Sequence, residues 1–334
     1  MKYHGLLSAI FLSLVILCSC QSNEEKLKVG FLFHDFDVPR WEREKTIFEN
    51  RMNELGCEVL VKSAGGNEQL QRNQAIELID QGVELLVVIP VNAKAAEIVR
   101  LAHDSGIKVI SYEGMIPNCD LDYHIEFDSY KVGELQAEYL LNRVPEGNLI
   151  IISADDRRSP FYEGSMNILE KQIANNKVNI IYTGFIEAWS PINAAFFADK
   201  ILEFCNAKVD GILCVNDGMA GGINSVLKKR GLNKKLPLTG QDADLAACWR
   251  IMNDEQCMTV YKPSKLIALS CAEMVFKILK HQNVEGLTLK NNGRKDVPCL
   301  YIDPIIVDKS NLQSTIVADD LYTIEEIQNY TEEK

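Results

Sequence analysis

Hydrophobic and polar positions follow two alternating periods from Leu27 onward, and this alternation predicts the fold class. Segments such as 28–33 (KVGFLF) and 83–90 (VELLVVIP) are almost wholly apolar, as expected for strands buried on both faces of a parallel sheet. Between such runs, residues 40–55 carry apolar side chains at helical spacing, and Gly56 follows as a stop signal. Strict alternation of strand and helix indicates an α/β protein with a doubly wound parallel sheet.

The alternation runs through the chain twice. A first series of strands ends near residue 113, and the rhythm restarts near Tyr123. Two series predict two Rossmann-like lobes, and 334 residues are too many for one ordinary core. The predicted strands are 28–33, 57–64, 83–90, 107–113, 123–128, 148–154, 178–185, 211–216 and 237–240. The predicted helices are 40–55, 68–81, 92–105, 129–143, 160–175 and 191–206.

The N-terminus has the pattern of an export signal. Lys2 precedes an apolar run over 6–17, which is too short to span a bilayer, and the small residue Ser19 stands directly before Cys20. This order is typical of bacterial lipoproteins. We expect residues 1–19 to be a signal peptide, Cys20 to be diacylated, and 20–26 to link the lipid to the folded chain. The protein would then be exported and anchored to the cell envelope. The alternative is an ordinary secretory signal with incidental cysteines.

Charge and cysteine spacing exclude several classes of function. The net charge is −12, which argues against nucleic acid as a partner. The cysteines after Cys20 occur singly, without any Cys-x-x-Cys pair, so neither a zinc site nor a thioredoxin-like site is indicated. We expect most of them to be buried apolar residues, although an exported protein could form one or two disulfides. No loop has the spacing of calcium ligands, and we expect no bound metal.

Enzyme motifs are also missing from the sequence. It contains no Gly-x-Ser-x-Gly, no His-Glu-x-x-His, no phosphate loop and no Gly-x-Gly-x-x-Gly. His34 is the one histidine near a predicted strand end, and a lone histidine there is more often a satisfied polar residue than a general base. We therefore expect a protein that is not an enzyme and needs no cofactor.

Aromatic and polar side chains collect where the predicted strands end, which is where open α/β sheets bind ligands. Two tryptophans, Trp41 and Trp189, offer flat apolar faces beside charged loops. Carboxylates, amides and guanidinium groups suit vicinal hydroxyls. This combination fits a sugar ring, although either tryptophan could instead pack in the core, as we expect for Trp249. The strand-end residues are Arg40, Trp41, Glu113, Gly114, Asp155, Asp156, Arg157, Arg158, Trp189, Asn216, Asp217, Gln241, Asp242, Tyr261 and Lys262.

Several segments resemble the type I periplasmic sugar-binding proteins, and most closely the D-xylose-binding group of ABC sugar importers. The resemblance covers about 28–327. The segments GQDADLAA (240–247) and TVYKP (259–263) are its most specific parts. The other matching segments are KVGFLF…RWE, AGGNEQLQRNQAIELIDQGVELLVVIP, FDSYKVGELQAEYLL, VNDGMAGG and the tail VPCLYIDPIIVDKSNLQSTIVADDLYTIEEI.

The resemblance implies a set of sugar contacts and two departures from the family pattern. The family sequence Ser-Tyr-Asp-Arg is 111–114 (SYEG) here, so an arginine is replaced by Gly114. The family sequence Asp-Asn-Asn is 155–157 (DDR), so an arginine is gained. Either Arg157 substitutes for the missing guanidinium, or the pocket is shaped for another sugar. The implied sugar-binding residues are Arg40, Trp41, Glu113, Asp155, Arg157, Trp189, Asn216, Asp242 and Lys262.

The resemblance also implies how the lobes and partners are arranged. The N-terminal lobe would comprise 27–129 and 263–300, and the C-terminal lobe 130–262 and 301–330. Three crossing strands would form the hinge, near 128–131, 261–262 and 300–303. We expect a monomer that closes on a monosaccharide, D-xylose or a related pentose or hexose, and delivers it to an ABC permease. The alternative is a sugar sensor that presents its ligand state to a membrane histidine kinase or chemoreceptor.

Overall fold

The computed structural model describes residues 26–37, 39–154, 156–205 and 208–331. Cys20, the predicted signal peptide and most of the predicted linker lie outside these residues. Twelve strands are present in the described part: β1 (Lys28–Phe33), β2 (Glu58–Ser63), β3 (Leu85–Val88), β4 (Lys108–Tyr112), β5 (Tyr123–Phe127), β6 (Gly147–Ala154), β7 (Val178–Ile186), β8 (Gly211–Cys214), β9 (Thr259–Tyr261), β10 (Thr288–Asn291), β11 (Asp296–Ile302) and β12 (Ile305–Val307).

Ten α-helices alternate with these strands in the described residues. Three short turns of other helix types occur at Ala93–Ala95, Glu187–Trp189 and Gln313–Val317. None of the helices in the described ranges is both long and apolar enough to cross a membrane. The helices are α1 (Pro39–Glu54), α2 (Glu68–Asp80), α3 (Ala96–Asp104), α4 (Ser129–Arg143), α5 (Pro160–Ala174), α6 (Pro191–Phe204), α7 (Asp217–Lys229), α8 (Leu245–Met252), α9 (Ser264–Leu279) and α10 (Ile324–Asn329).

The N-terminal lobe is built on a seven-stranded sheet in the order β10-β11-β5-β4-β3-β1-β2. All neighbours are parallel except β10, which pairs antiparallel with β11 at one edge. One face packs against α1 and α9, with Phe31, Phe48 and Met274 in its core. The other face packs against α2 and α3, with Leu78 and Ile98 in its core. The strands are therefore buried on both faces, as their continuous apolar runs predict.

The C-terminal lobe has a parallel sheet of order β7-β6-β8, beside an antiparallel pair β12-β9. The predicted strand 237–240 is wrong as a full strand, since it makes only one bridge, between Leu238 and Ile212. The reason is a side chain. The Thr239 hydroxyl accepts a hydrogen bond from the Cys214 N–H at 2.9 Å and donates to the Cys214 carbonyl at 3.1 Å, which replaces the next backbone pair.

The chain passes between the two sheets three times, and these passages define the hinge region. It crosses after β5, between β9 and α9, and between β11 and β12. Asp128 starts α4 at the first crossing by accepting a hydrogen bond from the Lys131 N–H at 3.0 Å, and its own N–H donates to the Ile302 carbonyl at the third, at 3.3 Å. The predicted fold class of two doubly wound α/β lobes is confirmed.

Candidate functional site

Arg40 stands at the centre of a charged cluster at the carboxyl edge of the N-terminal sheet. Its Nε donates to Glu44 Oε1 at 3.0 Å, one helical turn along α1. Its Nη2 donates to Glu113 Oε1 at 2.8 Å, from the loop after β4. Its guanidinium carbon also lies 4.3 Å from the centre of the Trp41 ring, a cation–π contact. Arg40 is thus held in place from three sides before any ligand binds.

A buried carboxylate, Glu44, anchors this cluster from behind. Glu44 is 1% exposed, and its Oε2 accepts a hydrogen bond from the Tyr112 hydroxyl at 2.8 Å. Burial raises the pKa of Glu44, and Arg40 offsets part of that rise. Burial would lower the pKa of Arg40, but the carboxylates Glu113 and Glu44 outweigh it and raise that pKa. Arg40 therefore stays charged, and Glu44 is the group whose ionisation depends on it.

The loop after β4 is a tight turn that explains why glycine stands at 114. Glu113 has a φ of 61°, and the Gly114 N–H donates to the Tyr112 carbonyl at 2.7 Å. A Cβ added at Gly114 would lie 2.9 Å from Pro90 Cγ, which is closer than side chains pack. An arginine cannot replace Gly114 unless Pro90 moves. The turn instead points the longer Glu113 carboxylate at Arg40.

Trp41 and His34 carry the unpaired polar atoms of this cluster. Trp41 is 8% exposed, and its ring meets that of His34 edge-on at 5.3 Å between centroids. Within the described residues, the Trp41 Nε1 and His34 Nδ1 atoms are buried without a hydrogen-bond partner. A buried polar atom without a partner costs free energy, so the two are available to a ligand or water. Trp41 is thus mostly buried, but its indole nitrogen has no hydrogen-bond partner among the described residues.

A second cluster lies at the strand ends of the C-terminal lobe and next to the hinge. Lys262 Nζ pairs with Asp242 Oδ1 at 2.7 Å. The backbone conformation positions Asp242 for this ion pair. Asp242 has a φ of 101° and the following Ala243 a φ of 56°, both left-handed. The Asp242 N–H donates to the Val260 carbonyl at 2.9 Å. These bonds tie the loop to β9 and hold its carboxylate in position.

Asn216 caps helix α7 at the same edge. Its Oδ1 accepts a hydrogen bond from the Met219 N–H at 3.0 Å. Capping fixes the side-chain orientation and leaves the amide nitrogen, a donor, on the other side. No hydrogen bond from that nitrogen is found to any residue in the described ranges. Asn216 is therefore suited to donate to an acceptor in the space beyond the strand ends.

Asp217 lies buried behind this second cluster, and sequence reasoning gave it no role. Its Oδ2 accepts from the Thr259 hydroxyl at 2.7 Å and from the Asp244 N–H at 3.1 Å. Its Oδ1 accepts from Gln256 Nε2 at 2.7 Å. Burial, and secondarily Asp244, raises the pKa of Asp217. The Asp217 carboxylate thereby joins the loop 241–244 to β9 and to the segment between α8 and β9.

Trp189 occupies a strained turn after β7. Trp189 and Ala188 have φ values of 53° and 52°, in a region that side chains other than glycine rarely adopt. The half-buried Trp189 ring meets Phe161 edge-on, at 5.7 Å between centroids. Strain of this kind persists where the surroundings fix it, often at ligand sites. The ring is only partly covered, as a stacking platform requires.

Arg157 is placed apart from the two clusters. Its Nη1 donates to the Tyr162 hydroxyl at 3.1 Å, and its guanidinium carbon lies 5.7 Å from the centre of the Phe185 ring. It lines a groove beside α5 that also includes Tyr130 and Glu163. Asp155 lies outside the described residues. In this structure, therefore, the Arg157 guanidinium does not reach the cluster around Arg40.

The structure thus joins six of the nine predicted residues into two groups: Arg40, Trp41 and Glu113 in one, and Asn216, Asp242 and Lys262 in the other. Of the two acids beneath them, Glu44 was missed, and Asp217 was noted only as a strand-end residue without a role of its own. A signal for Glu44 exists, because it lies four residues after Arg40 on one helix. Asp217 directly follows Asn216, but its burial depends on partners distant in the sequence.

Comparison with known proteins gives the family. The model of the periplasmic binding protein domain matches residues 29–283. The D-xylose-binding periplasmic protein of Escherichia coli is 36% identical over 331 residues, which cover 98% of this chain and 100% of that protein. The protein of the same name from Haemophilus influenzae is 36% identical over 313 residues, covering 92% of this chain and 94% of that protein.

A solved structure supports the same conclusion. An ABC transporter solute-binding protein from Clostridium phytofermentans, with bound β-D-glucose, is 25% identical and superposes with a TM-score of 0.71, covering 90% of this chain and 99% of that one. Both lobes of the fold are therefore shared with it. The chain belongs to the periplasmic binding protein family and is a type I periplasmic sugar-binding protein similar to the D-xylose-binding relatives.

Proposed function

We propose that this protein captures a monosaccharide, D-xylose or a related pentose or hexose, between its two lobes. The observation that carries the proposal is the pair of pre-formed polar clusters, each at the strand ends of one lobe, with Trp41 part of the first. The 36% identity to D-xylose-binding proteins over nearly the full chain supports it. The residues proposed to touch sugar are Arg40, Trp41, Glu113, Asp155, Arg157, Trp189, Asn216, Asp242 and Lys262.

In the proposed mechanism, sugar enters between open lobes and stabilises the closed form. Ring faces stack on Trp41 and Trp189, while carboxylates and guanidinium or ammonium groups bind the hydroxyls. Closure excludes water, which strengthens each polar contact. Sugar shifts the equilibrium only as far as its affinity for the closed form exceeds its affinity for the open form. Contacts from both lobes supply that difference.

We further propose that the protein is not an enzyme and that the closed form is what its partner recognises. An ABC permease is the partner we favour, in keeping with relatives that serve ABC transporters. A sensor role has support of its own, because a relative from Rhizobium radiobacter called a multiple sugar-binding periplasmic receptor is 30% identical over 283 residues, covering 80% of that protein. A neighbouring permease gene would favour transport, and a neighbouring kinase gene would favour sensing.

We propose an exported, monomeric protein that diacylated Cys20 anchors to the cell envelope. Two acyl chains make a stable anchor where one would be marginal. Labelling with a radioactive fatty acid tests this placement: the label should enter the wild type and be absent from a Cys20→Ala variant. Label retained by that variant would contradict anchoring at Cys20.

Calorimetric titration of the purified protein with a panel of pentoses and hexoses tests the proposed function. We expect one-to-one binding of D-xylose or a close analogue, without turnover of the sugar. A Trp189→Ala variant should stay folded, because the ring is only half-buried, and lose at least about tenfold in affinity, the effect of about 1.4 kcal/mol. The matched control is Trp249→Ala, a half-buried tryptophan packed near α10 rather than at a strand end. Absence of heat with every sugar would contradict the proposal.

A further inference from the structure

Three side chains able to bind a metal converge in the N-terminal lobe, on the sheet face opposite α1 and α9. His124 and Glu126 are two residues apart on β5 and so point to one face. Cys299 is directly opposite His124 on the neighbouring strand β11. One ligand atom from each of the three residues lies within 4.8 Å of the others. A histidine, a carboxylate and a thiol are thus within the reach of a single ion.

The imidazole of His124 is oriented from its far side. His124 is fully buried, and its Nδ1 lies 2.6 Å from Ser111 Oγ and 3.1 Å from the Ser111 carbonyl oxygen. Its Nε2 lies 3.1 Å from Glu126 Oε2 without the alignment of a hydrogen bond, and among the described residues that nitrogen has no hydrogen-bond partner. Metal-binding histidines are held in this way, with one ring nitrogen bonded to the backbone or a polar group and the other free for the ion.

Neighbouring groups prepare the other two side chains. Lys290, on β10, pairs with Glu126 Oε1 and leaves Oε2 facing His124. Tyr301 is two residues from Cys299 on β11, so its side chain lies on the same face of the sheet as the sulfur.

We propose that this cluster is a binding site for zinc or a similar divalent transition metal, held by His124, Glu126 and Cys299 with one coordination position open. Imidazole, thiolate and carboxylate are the protein ligands of zinc, and three of them with an open position form a recurring arrangement. The spacing of the residues in the sequence gives no sign of it, because Cys299 lies far along the chain from the other two.

The proposed site adjoins the hinge. Both β5 and β11 leave the N-terminal sheet within a few residues of the cluster, the first at Asp128 and the second after Ile302. A metal bridging His124 and Glu126 to Cys299 would cross-link these two strands at their exit. The inference does not rest on sugar binding, since none of these side chains belongs to the two polar clusters.

Cobalt(II) and zinc(II) titrations of the purified, reduced protein test the proposal. We expect one cobalt ion per chain, with a thiolate-to-cobalt charge-transfer band that zinc abolishes by displacement. Cys299→Ser should remove the band. His124→Gln should weaken cobalt binding by more than Ser111→Ala, which should cost about 10-fold or more by releasing the imidazole. The matched control is Cys57→Ser, another buried cysteine of the same lobe, which should leave the band unchanged.

The wild-type spectrum tests the site even where a variant fails to fold. A cobalt complex of the wild type without a thiolate band overturns the proposal. So does a band that survives in folded Cys299→Ser, which would assign it to another cysteine. Zinc affinity equal in the wild type and Cys299→Ser, measured by competition with a chromophoric chelator, overturns it equally.

Discussion

The side chains of the two polar clusters are held in position in different ways. In the N-terminal lobe, side chains hold side chains: Arg40 is fixed by Glu44 and Glu113, over the Trp41 ring. In the C-terminal lobe, the backbone does much of this work, since Asp242 takes its position from a φ of 101° and from hydrogen bonds to β9. The N-terminal cluster is thus fixed by its ion pairs, and the C-terminal cluster by backbone conformation together with the Lys262–Asp242 ion pair.

A buried acid stands behind each cluster, and the two acids differ in their partners. Glu44 accepts from a charged guanidinium and from a phenol. Asp217 accepts from a hydroxyl, an amide and a backbone N–H. Removing Glu44 therefore takes an acceptor from Arg40 and from the buried Tyr112 hydroxyl, whereas removing Asp217 takes it from two buried side-chain donors and the half-buried Asp244 N–H. Loss of the buried acid should therefore cost more unfolding free energy in the C-terminal lobe than in the N-terminal lobe.

The largest expected effect is that of Asp217→Ala. Thr259 and Gln256 would lose their acceptor in a buried site and the Asp244 N–H in a half-buried one, and each buried unsatisfied group costs about 1–3 kcal/mol. We expect the free energy of unfolding to fall by about 3–5 kcal/mol, measured by denaturant titration. The control is Asp254→Ala, an exposed acid paired with Lys309, which should change it by less than about 1 kcal/mol. Equal losses in both variants would contradict the role of Asp217.

Glu44→Gln should have a smaller effect on stability and should also lower the affinity for sugar. Arg40 keeps Glu113, and the glutamine can still accept one hydrogen bond, so we expect a loss of about 1–2 kcal/mol in unfolding free energy. Sugar affinity should fall because Arg40 is held less firmly. Glu42→Gln, on the exposed side of the same helix, is the control. An unchanged sugar affinity in Glu44→Gln would show that Glu44 does not contribute to sugar binding.

The pH dependence of stability should distinguish the buried acid Asp217 from ordinary surface acids. Its pKa in the folded protein is raised above the ordinary value of 3.8, so the folded state binds the proton more tightly than the unfolded state. The stability it contributes is then complete below about 3.8 and is lost as pH rises through the folded value. The unfolding free energy of the wild type minus that of Asp217→Asn should decline with rising pH. A difference that grows with pH would contradict the raised pKa.

The smallest expected effect is that of Arg157→Ala on sugar affinity. The guanidinium is bonded to Tyr162, and exposed polar contacts contribute up to about 1 kcal/mol, so we expect a loss of about fivefold or less by calorimetry. A larger loss would mean that Arg157 turns toward the sugar on closure and supplies the guanidinium that Gly114 does not. In that case a guanidinium from each lobe, Arg40 and Arg157, would bind the sugar.

The sequence predicted the features that depend on neighbouring residues. It missed those that depend on contacts between residues far apart in the chain. Helix α4 begins and ends where predicted, because Asp128 caps it and its apolar spacing is regular. The segment 237–240 was predicted as a strand because nothing local reveals that Thr239 takes over the backbone bonds of Cys214. The site shows the same division. Strand ends identified Arg40 and Asp242, whereas the tight turn at Glu113 depends on Pro90, which comes from another strand end.

Small-angle X-ray scattering of the purified protein, with and without saturating D-xylose, shows whether the two lobes close on one sugar. We expect the radius of gyration to fall when the sugar binds, and to stay unchanged in an Arg40→Ala/Asp242→Ala double variant. Sugar bound with measurable heat but without any fall in the radius of gyration would contradict the two-lobe clamp.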